Sequence, residues 1–232
     1  EFRGAKSWMP PGPASSMHLI HALELSADEV DVSARFKPNV RRNIRKSKKE
    51  GVKVRLLHSL GAMAAYYRLH CGTRRYHGLP PQPWLFFKKM HEHIIGPGKG
   101  FIALAEFQNR WIAGAVFLQH RDQAIYKYGA SDIRFQRLRP NNLVMWEALR
   151  WCCRNNIRRF SFGRTDPKNE GLRHYKNGWG AVEDRLLYHR LDLRSSCFVG
   201  THGTPKSSSA VFKSLPLPML RLAGRLLYRH VG

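Results

Sequence analysis

Hydrophobic positions change their spacing several times along this 232-residue chain, and each change marks an element. Residues 17–25 alternate weakly through Leu19, Ala22, Leu23 and Leu25, which reads as a strand belonging to something that lies mostly upstream. From Phe36 to Gly51 the apolar residues thin to Phe36, Val40 and Ile44, four apart. With Pro38 near the start and Gly51 past the end, this spacing predicts a helix with one narrow docking stripe. Residues 52–57 alternate as a strand, and 60–76 are periodic at helical spacing through Ala64, Tyr67, Leu69 and Cys71. A break at His77-Gly78-Leu79-Pro80-Pro81-Gln82-Pro83 precedes a second helix at 84–95, with Phe86, Phe87, Met90 and Ile94 inward. Runs at 101–107, 111–119 and 123–130, separated by short turns at Gln108-Asn109 and Arg121-Asp122, predict an antiparallel meander. A helix at 141–155 follows, striped by Leu143, Trp146, Leu149, Cys152 and Cys153. Then come a strand at 159–163, a helix at 169–177 and a strand at 182–191. Residues 195–209 read as a tether, and 211–231 as one basic amphipathic helix.

This order predicts an α/β (α+β) fold. In an open sheet ligands lie beyond the carboxyl ends of strands, near helix N-termini. Two loops answer that description. The first follows residue 130 and runs through Arg134 and Arg139 to Asn141 and Asn142 at the mouth of a helix. The second is Arg164-Thr165-Asp166-Pro167. Lys127, Tyr128 and Arg134 are placed to touch a phosphate or sugar, and Tyr126 and Tyr128 are expected to point the same way. Asp166 can accept an ammonium proton or fix Arg164, although Asp-Pro is also an ordinary turn starter.

Charge alters the picture more than composition does. The formal net charge is +24, and residues 35–55 alone hold ten Lys and Arg against Glu50. Such a field attracts polyanions without choosing among nucleic acid, nucleotide-linked substrates and an anionic membrane face. Arg41, Arg42, Arg45 and Lys46 make the sharpest phosphate- or tRNA-binding candidates, set against a plain solvated linker helix. No apolar run approaches the roughly 18 residues that cross a membrane. Cys71, Cys152, Cys153 and Cys197 lack metal-ligand spacing, and none of the twelve histidines argues for a metal. A cytoplasmic setting is expected, with peripheral contact at the inner face of the cell membrane as an option for the last helix. The opening Glu1-Phe2-Arg3-Gly4 suggests a chain clipped at its N-terminus.

The element order resembles the GNAT acyltransferase fold: a mixed, mostly antiparallel sheet flanked by helices. That resemblance implies a phosphate-receiving helix after the meander and an acceptor cleft between the strands at 123–130 and 159–163. The GNAT fingerprint is Gln/Arg-x-x-Gly-x-Gly/Ala, and here it reads Gln136-Arg137-Leu138-Arg139-Pro140-Asn141. Both glycine places are filled, which favours a donor other than acetyl-CoA. Further segments look like the FemAB family, which passes amino acids from aminoacyl-tRNA to peptidoglycan precursors. They are Asn43-Ile44-Arg45 followed by Lys46–Gly51, Arg139-Pro140-Asn141-Asn142-Leu143 with Trp146-Glu147, and Gly171-Leu172-Arg173-His174-Tyr175-Lys176 with Trp179-Gly180. The HGLPPQP break and Leu215-Pro216-Leu217-Pro218 are similar to FemAB-like proteins linked with exosortase and exopolysaccharide systems.

FemAB proteins carry two GNAT-like halves. The resemblance therefore implies a remnant of the first half at 1–34, a basic connecting helix at 35–51 and a GNAT-like domain at 52–194. A linker at 195–210 and a C-terminal helix at 211–232 complete the division. It also implies that Lys176 lies near the reacting centre, its cation steadying developing negative charge, where the plainer reading pairs it with Asp166 or Glu170. The expected reaction is direct transfer from aminoacyl-tRNA or acyl-CoA, with no bound cofactor, to an amine on a nucleotide- or lipid-linked envelope precursor. Two alternatives are a non-catalytic RNA- or DNA-binding protein, and a degenerate GNAT-like scaffold that docks partners at a membrane.

Overall fold

The computed structural model describes residues 1–4, 12–200 and 210–228. Among these residues the strands are β1 (Phe2–Gly4), β2 (Ser16–Glu24), β3 (Lys53–Leu57), β4 (Gly100–Phe107), β5 (Arg110–His120), β6 (Gln123–Ser131), β7 (Arg159–Thr165), β8 (Val182–Asp192) and β9 (Cys197–Val199). The helices are α1 (Glu29–Ala34), α2 (Pro38–Lys49), α3 (Leu60–Tyr76), α4 (Trp84–Met90), α5 (Pro140–Arg154), α6 (Glu170–Asn177), α7 (Ala210–Ser214) and α8 (Leu217–Leu227). A π-helical turn, His91–Ile95, extends α4, and a 3-10 helix, Ile133–Leu138, leads into α5.

The strands form one mixed sheet in the order β1-β8-β2-β7-β6-β5-β4-β3, with β9 paired to β8. β3 pairs antiparallel on the outer edge of β4, and β4 to β6 are the expected meander. Its first hairpin turns on Gln108 and Asn109, both at positive φ (49° and 58°), the twist that a tight hairpin requires. Among the described residues only β6 and β7 run parallel. β2 is hydrogen-bonded on both edges, to β7 and β8. Its alternation serves this sheet: Leu19 and Leu23 turn inward, and Leu23 joins the main core.

Hydrophobic clusters cover the two faces. On one side α2 and α5 bury Phe36, Val40, Ile44, Leu143, Leu149, Cys152 and Cys153 against Phe101, Phe117, Phe160 and Phe162. On the other, α3 and α4 pack Tyr66, Tyr67, Cys71 and Phe87 on Ile102, Leu104 and Val116. Burying one such large side chain is worth about 1.5–3 kcal/mol, so these stripes fix where each helix sits. Trp179, fully buried, stands 5.0 Å from the Phe36 ring and 6.4 Å from Phe162, joining the basic helix to the end of β7.

At the C-terminus the single helix expected over 211–231 is two. Ser214 ends α7, Pro216 caps α8, and Pro218 falls in its first turn, because proline starts helices readily and cannot continue one. α8 packs on its own domain. Leu220 is fully buried, the Arg74 guanidinium donates to the Tyr228 hydroxyl at 3.0 Å, and Gly224 meets the Pro81 carbonyl so closely that no side chain fits. Arg229, expected on its basic side, lies outside the described residues, as does most of the tether.

Candidate active site

β6 and β7 are paired only through Gln123–Arg159, Ala124–Phe160 and Ile125–Ser161, and then diverge. On its other edge β6 slips register against β5: Phe117 faces Tyr126 and Val116 faces Tyr128, leaving Lys127 as an extra residue. Such a bulge leaves backbone groups without ladder partners and bends the strand. It also corrects the expectation for the two tyrosines. Tyr126 packs on the α5 side, 5.7 Å from Phe117, whereas Tyr128 packs on the α3 side against Phe86 and Phe87. One inserted residue moved every later side chain of β6 to the other face.

Burial lifts the Tyr126 hydroxyl to about 12, so it is a neutral donor at any physiological pH. Its ring lies directly over Gly129, where a Cβ would collide with the hydroxyl. Across the gap a Cβ at Gly163 (φ 72°) would come within 3.3 Å of the Tyr126 carbonyl. Glycine at 129 leaves room for that hydroxyl, and the left-handed backbone at 163 favours glycine.

The tip of β7 is held from beneath by Lys176. This side chain is only 2% exposed, and its Nζ donates to the Gly163 carbonyl (2.8 Å), the Arg164 carbonyl (3.2 Å) and the Thr165 hydroxyl (2.8 Å). An ammonium group has three hydrogens, and all three are engaged. Burial pulls its pKa down to about 8. No ion pair joins it to Asp166 or Glu170 among the described residues. Asp166 is exposed, and its carboxylate accepts from the Lys168 amide at 2.9 Å, the turn that Asp-Pro favours. Arg164 reaches the opposite way, donating to the Tyr188 hydroxyl at 3.2 Å.

At the mouth of α5, Arg139 occupies the first glycine place of the fingerprint and adopts the left-handed conformation glycine favours (φ 56°, ψ 37°). The loop thus keeps its shape and adds a guanidinium. Asn141 is exposed and donates to the Ser131 hydroxyl at 3.3 Å, while Asn142 is buried. Arg134 is bound to Asp132 through Nε and Nη2 (2.6 Å for the shortest contact), and the same aspartate caps the 3-10 helix. Lys127 is exposed above the Tyr128 ring, 5.7 Å from its centroid. β6 and β7 run parallel, so the segments that follow them leave the sheet at the same edge. Arg41, Arg42, Arg45 and Lys46 stay solvent-exposed on α2, whose Val40 and Ile44 face inward. A cavity of about 470 Å³ opens on the sheet at the closed end of the divergence, lined by Ile20, Ala22, Leu118, Gln123, Ile125 and Ser161 among others.

A buried polar cluster behind Lys176 has no counterpart in the expectations. His21 is fully buried, its Nε2 3.1 Å from Glu183 Oε2 and its Nδ1 without a partner. Burial, and then the Lys176 charge, hold its pKa low. Arg173 grips Glu183 with two hydrogen bonds (3.0 and 2.8 Å) and keeps that carboxyl below its usual range. Arg173 and Glu183 are ten residues apart, but His21 is 162 positions from Glu183. No spacing signal links such a set.

A family described as "Acetyltransferase (GNAT) domain" matches residues 34–177, more than half of the chain. The chain belongs to the GNAT acyltransferase family. No curated protein matches it in sequence. Among solved structures the GNAT chain is similar to FemX, at 13% identity and a TM-score of 0.65, covering 73% of this chain and 61% of that one. It is also similar to L-PGS from Bacillus licheniformis (10% identity, TM-score 0.56, 91% and 68%). A third is the C-terminal domain of a putative lysylphosphatidylglycerol synthetase from Agrobacterium fabrum (9%, TM-score 0.55, 73% and 59%). These likenesses show a shared fold. The chain spans about three fifths of the FemX and Agrobacterium structures.

Proposed function

We propose that this GNAT protein is a FemAB-like transferase, moving an acyl or aminoacyl group from a carrier to an amine on a cell-envelope precursor. The observation that carries the reading is the divergence of β6 and β7 past Ile125 and Ser161, with the Lys127 bulge on one wall and the Lys176-braced tip on the other. Catalysis there is placement plus stabilisation of an oxyanion by preorganised donors. The acceptor nitrogen forms a bond to the carbonyl carbon, whose oxygen takes up negative charge. The bond to the departing ribose oxygen of aminoacyl-tRNA, or to the sulfur of acyl-CoA, then breaks. One proton leaves the nitrogen and one reaches the leaving group, with Asp166 as the nearby carboxylate that can relay it.

Lys176 acts in this scheme as a positioning residue whose ammonium holds Gly163 to Thr165, and Arg139 and Asn141 supply the polar rim for an anionic carrier. The basic face of α2 suits a long polyanion such as tRNA. The FemX likeness, together with Arg139 at the fingerprint's glycine place, supports an aminoacyl-tRNA donor over acetyl-CoA, and micromolar saturation by acetyl-CoA would overturn that choice. The test is single-turnover transfer from charged tRNA or acyl-CoA to nucleotide-linked and lipid-linked amines. Lys176→Ala is expected to lower the rate at least about 100-fold by misplacing the tip. A wild-type rate in Lys176→Ala removes the site from β7.

A further inference from the structure

A helix lying on a globular domain ordinarily carries one apolar stripe, turned inward. α8 carries two. Leu217, Leu220, Gly224 and Tyr228 share the face that packs against α3 and Pro81. Met219, Leu222 and Leu226, spaced by three and four on the opposite face, are 56%, 57% and 54% exposed. Arg221 and Arg225 run between the two stripes, and Lys213 on α7 is also exposed. From Leu193 to Gly232 the sequence contains six Lys and Arg and no acidic residue at all.

A similar surface lies beside it. On α4, Leu85 (62%) and Phe86 (42%) are exposed alongside Lys88 and Lys89. One aromatic layer joins the two helices. The Arg221 guanidinium is 5.5 Å from the Tyr67 ring, Tyr67 is 5.3 Å from Trp84, and Phe86 is 6.2 Å from Tyr128 on the wall of the divergence.

We propose that the outer faces of α8 and α4 seat this protein on an anionic lipid bilayer, with the apolar stripe in the headgroup layer and the flanking cations on lipid phosphates. Isolated exposed apolar residues call for no explanation, but three in line on a helix and two more beside it form a patch that a soluble surface rarely carries. The charge selects the occupant. A second copy of a chain at +24 meets repulsion, whereas an anionic surface meets apolar insertion and attraction together. The consequence for chemistry rests on the transfer reading: the seat lies next to the wall holding Tyr128 and Lys127, so a lipid-linked amine reaches the divergence without leaving the membrane.

The experiment is co-sedimentation of the full chain with vesicles of phosphatidylcholine alone and of an equimolar mixture with phosphatidylglycerol, at physiological salt. Binding to the anionic vesicles is expected to be at least about tenfold tighter. The triple variant Met219→Ser/Leu222→Ser/Leu226→Ser keeps every charge and alters only exposed side chains. It is expected to keep its melting temperature and lose at least about tenfold in binding to anionic vesicles. Lys213→Gln with Arg225→Gln is expected to weaken binding about fivefold per charge. Equal binding to both vesicles, full binding by the triple variant, or a dimer that the triple variant dissociates each overturns the proposal. All three readouts are independent of transfer activity, so their failure leaves the proposed reaction standing, and the reverse also holds.

Discussion

Lys176 and the basic face of α2 carry the same kind of charge in opposite surroundings. Lys176 is one cation, 2% exposed, with every donor matched to an oxygen of the β7 tip. Arg41, Arg42, Arg45 and Lys46 stand in solvent. A buried cation costs free energy to desolvate and repays it only through fixed geometry, so its removal is felt throughout the strand end. Exposed cations are screened and nearly independent of the fold, yet together they set the field that a polyanion meets. Local structure thus depends on the single charge, and long-range attraction on the many.

The largest expected effect follows from Lys176→Met, which leaves two carbonyls and the Thr165 hydroxyl facing an apolar chain. A loss of about 3 kcal/mol is expected in urea unfolding. A change under 0.5 kcal/mol, on the order of an ordinary surface substitution, would erase the contrast.

Next is pH. Burial draws Lys176 down to about 8 in the folded protein, against about 10.4 in an unfolded chain. Between those values the folded state binds fewer protons, so stability is expected to rise with pH through that window. Tyrosines titrate there too, so the measurement is the difference between wild type and Lys176→Met, whose curve should be flatter. A wild-type curve no steeper than the variant's means that the three oxygen acceptors outweigh burial.

Arg139→Gly sharpens the comparison from the side of the backbone. Glycine relieves a left-handed residue, and a gain of about 0.5–1 kcal/mol is expected by thermal melting. The same change should weaken binding of an anionic carrier if the guanidinium, rather than loop shape, makes the contact. The smallest effect on stability belongs to α2. Arg42→Ala and Lys46→Ala should each stay within about 0.5 kcal/mol. Each is nevertheless expected to reduce the salt dependence of tRNA binding by about one counterion, read from log-log affinity plots. Unchanged slopes would mean that the polyanion does not touch this face.

Most of the scaffold was legible because it rests on periodicity. The stripe at Phe36, Val40 and Ile44 packs inward as its spacing demands, and the meander, the helix at α5 and the strand at β7 follow from patterns of two and of three to four. The site was legible only as a neighbourhood. Lys127 lies on β6, and Arg139 and Asp166 on the segments that follow β6 and β7, but what each side chain touches had no signature in the chain. Arg134 is bound to Asp132 two residues away, a contact visible in the sequence only once the turn is known.

By itself the sequence determined the element order, the inward stripes and the concentration of positive charge, all of which are sums over local choices. Tertiary structure decided the rest. A single extra residue at Lys127 sent Tyr126 and Tyr128 to opposite faces, and β2 slid between β7 and β8 to bring His21 against Glu183. Packing buried Lys176 under the β7 tip and left a second apolar stripe of α8 in solvent. Register, burial and long-range pairing depend on where distant segments meet, and no window of sequence contains both partners.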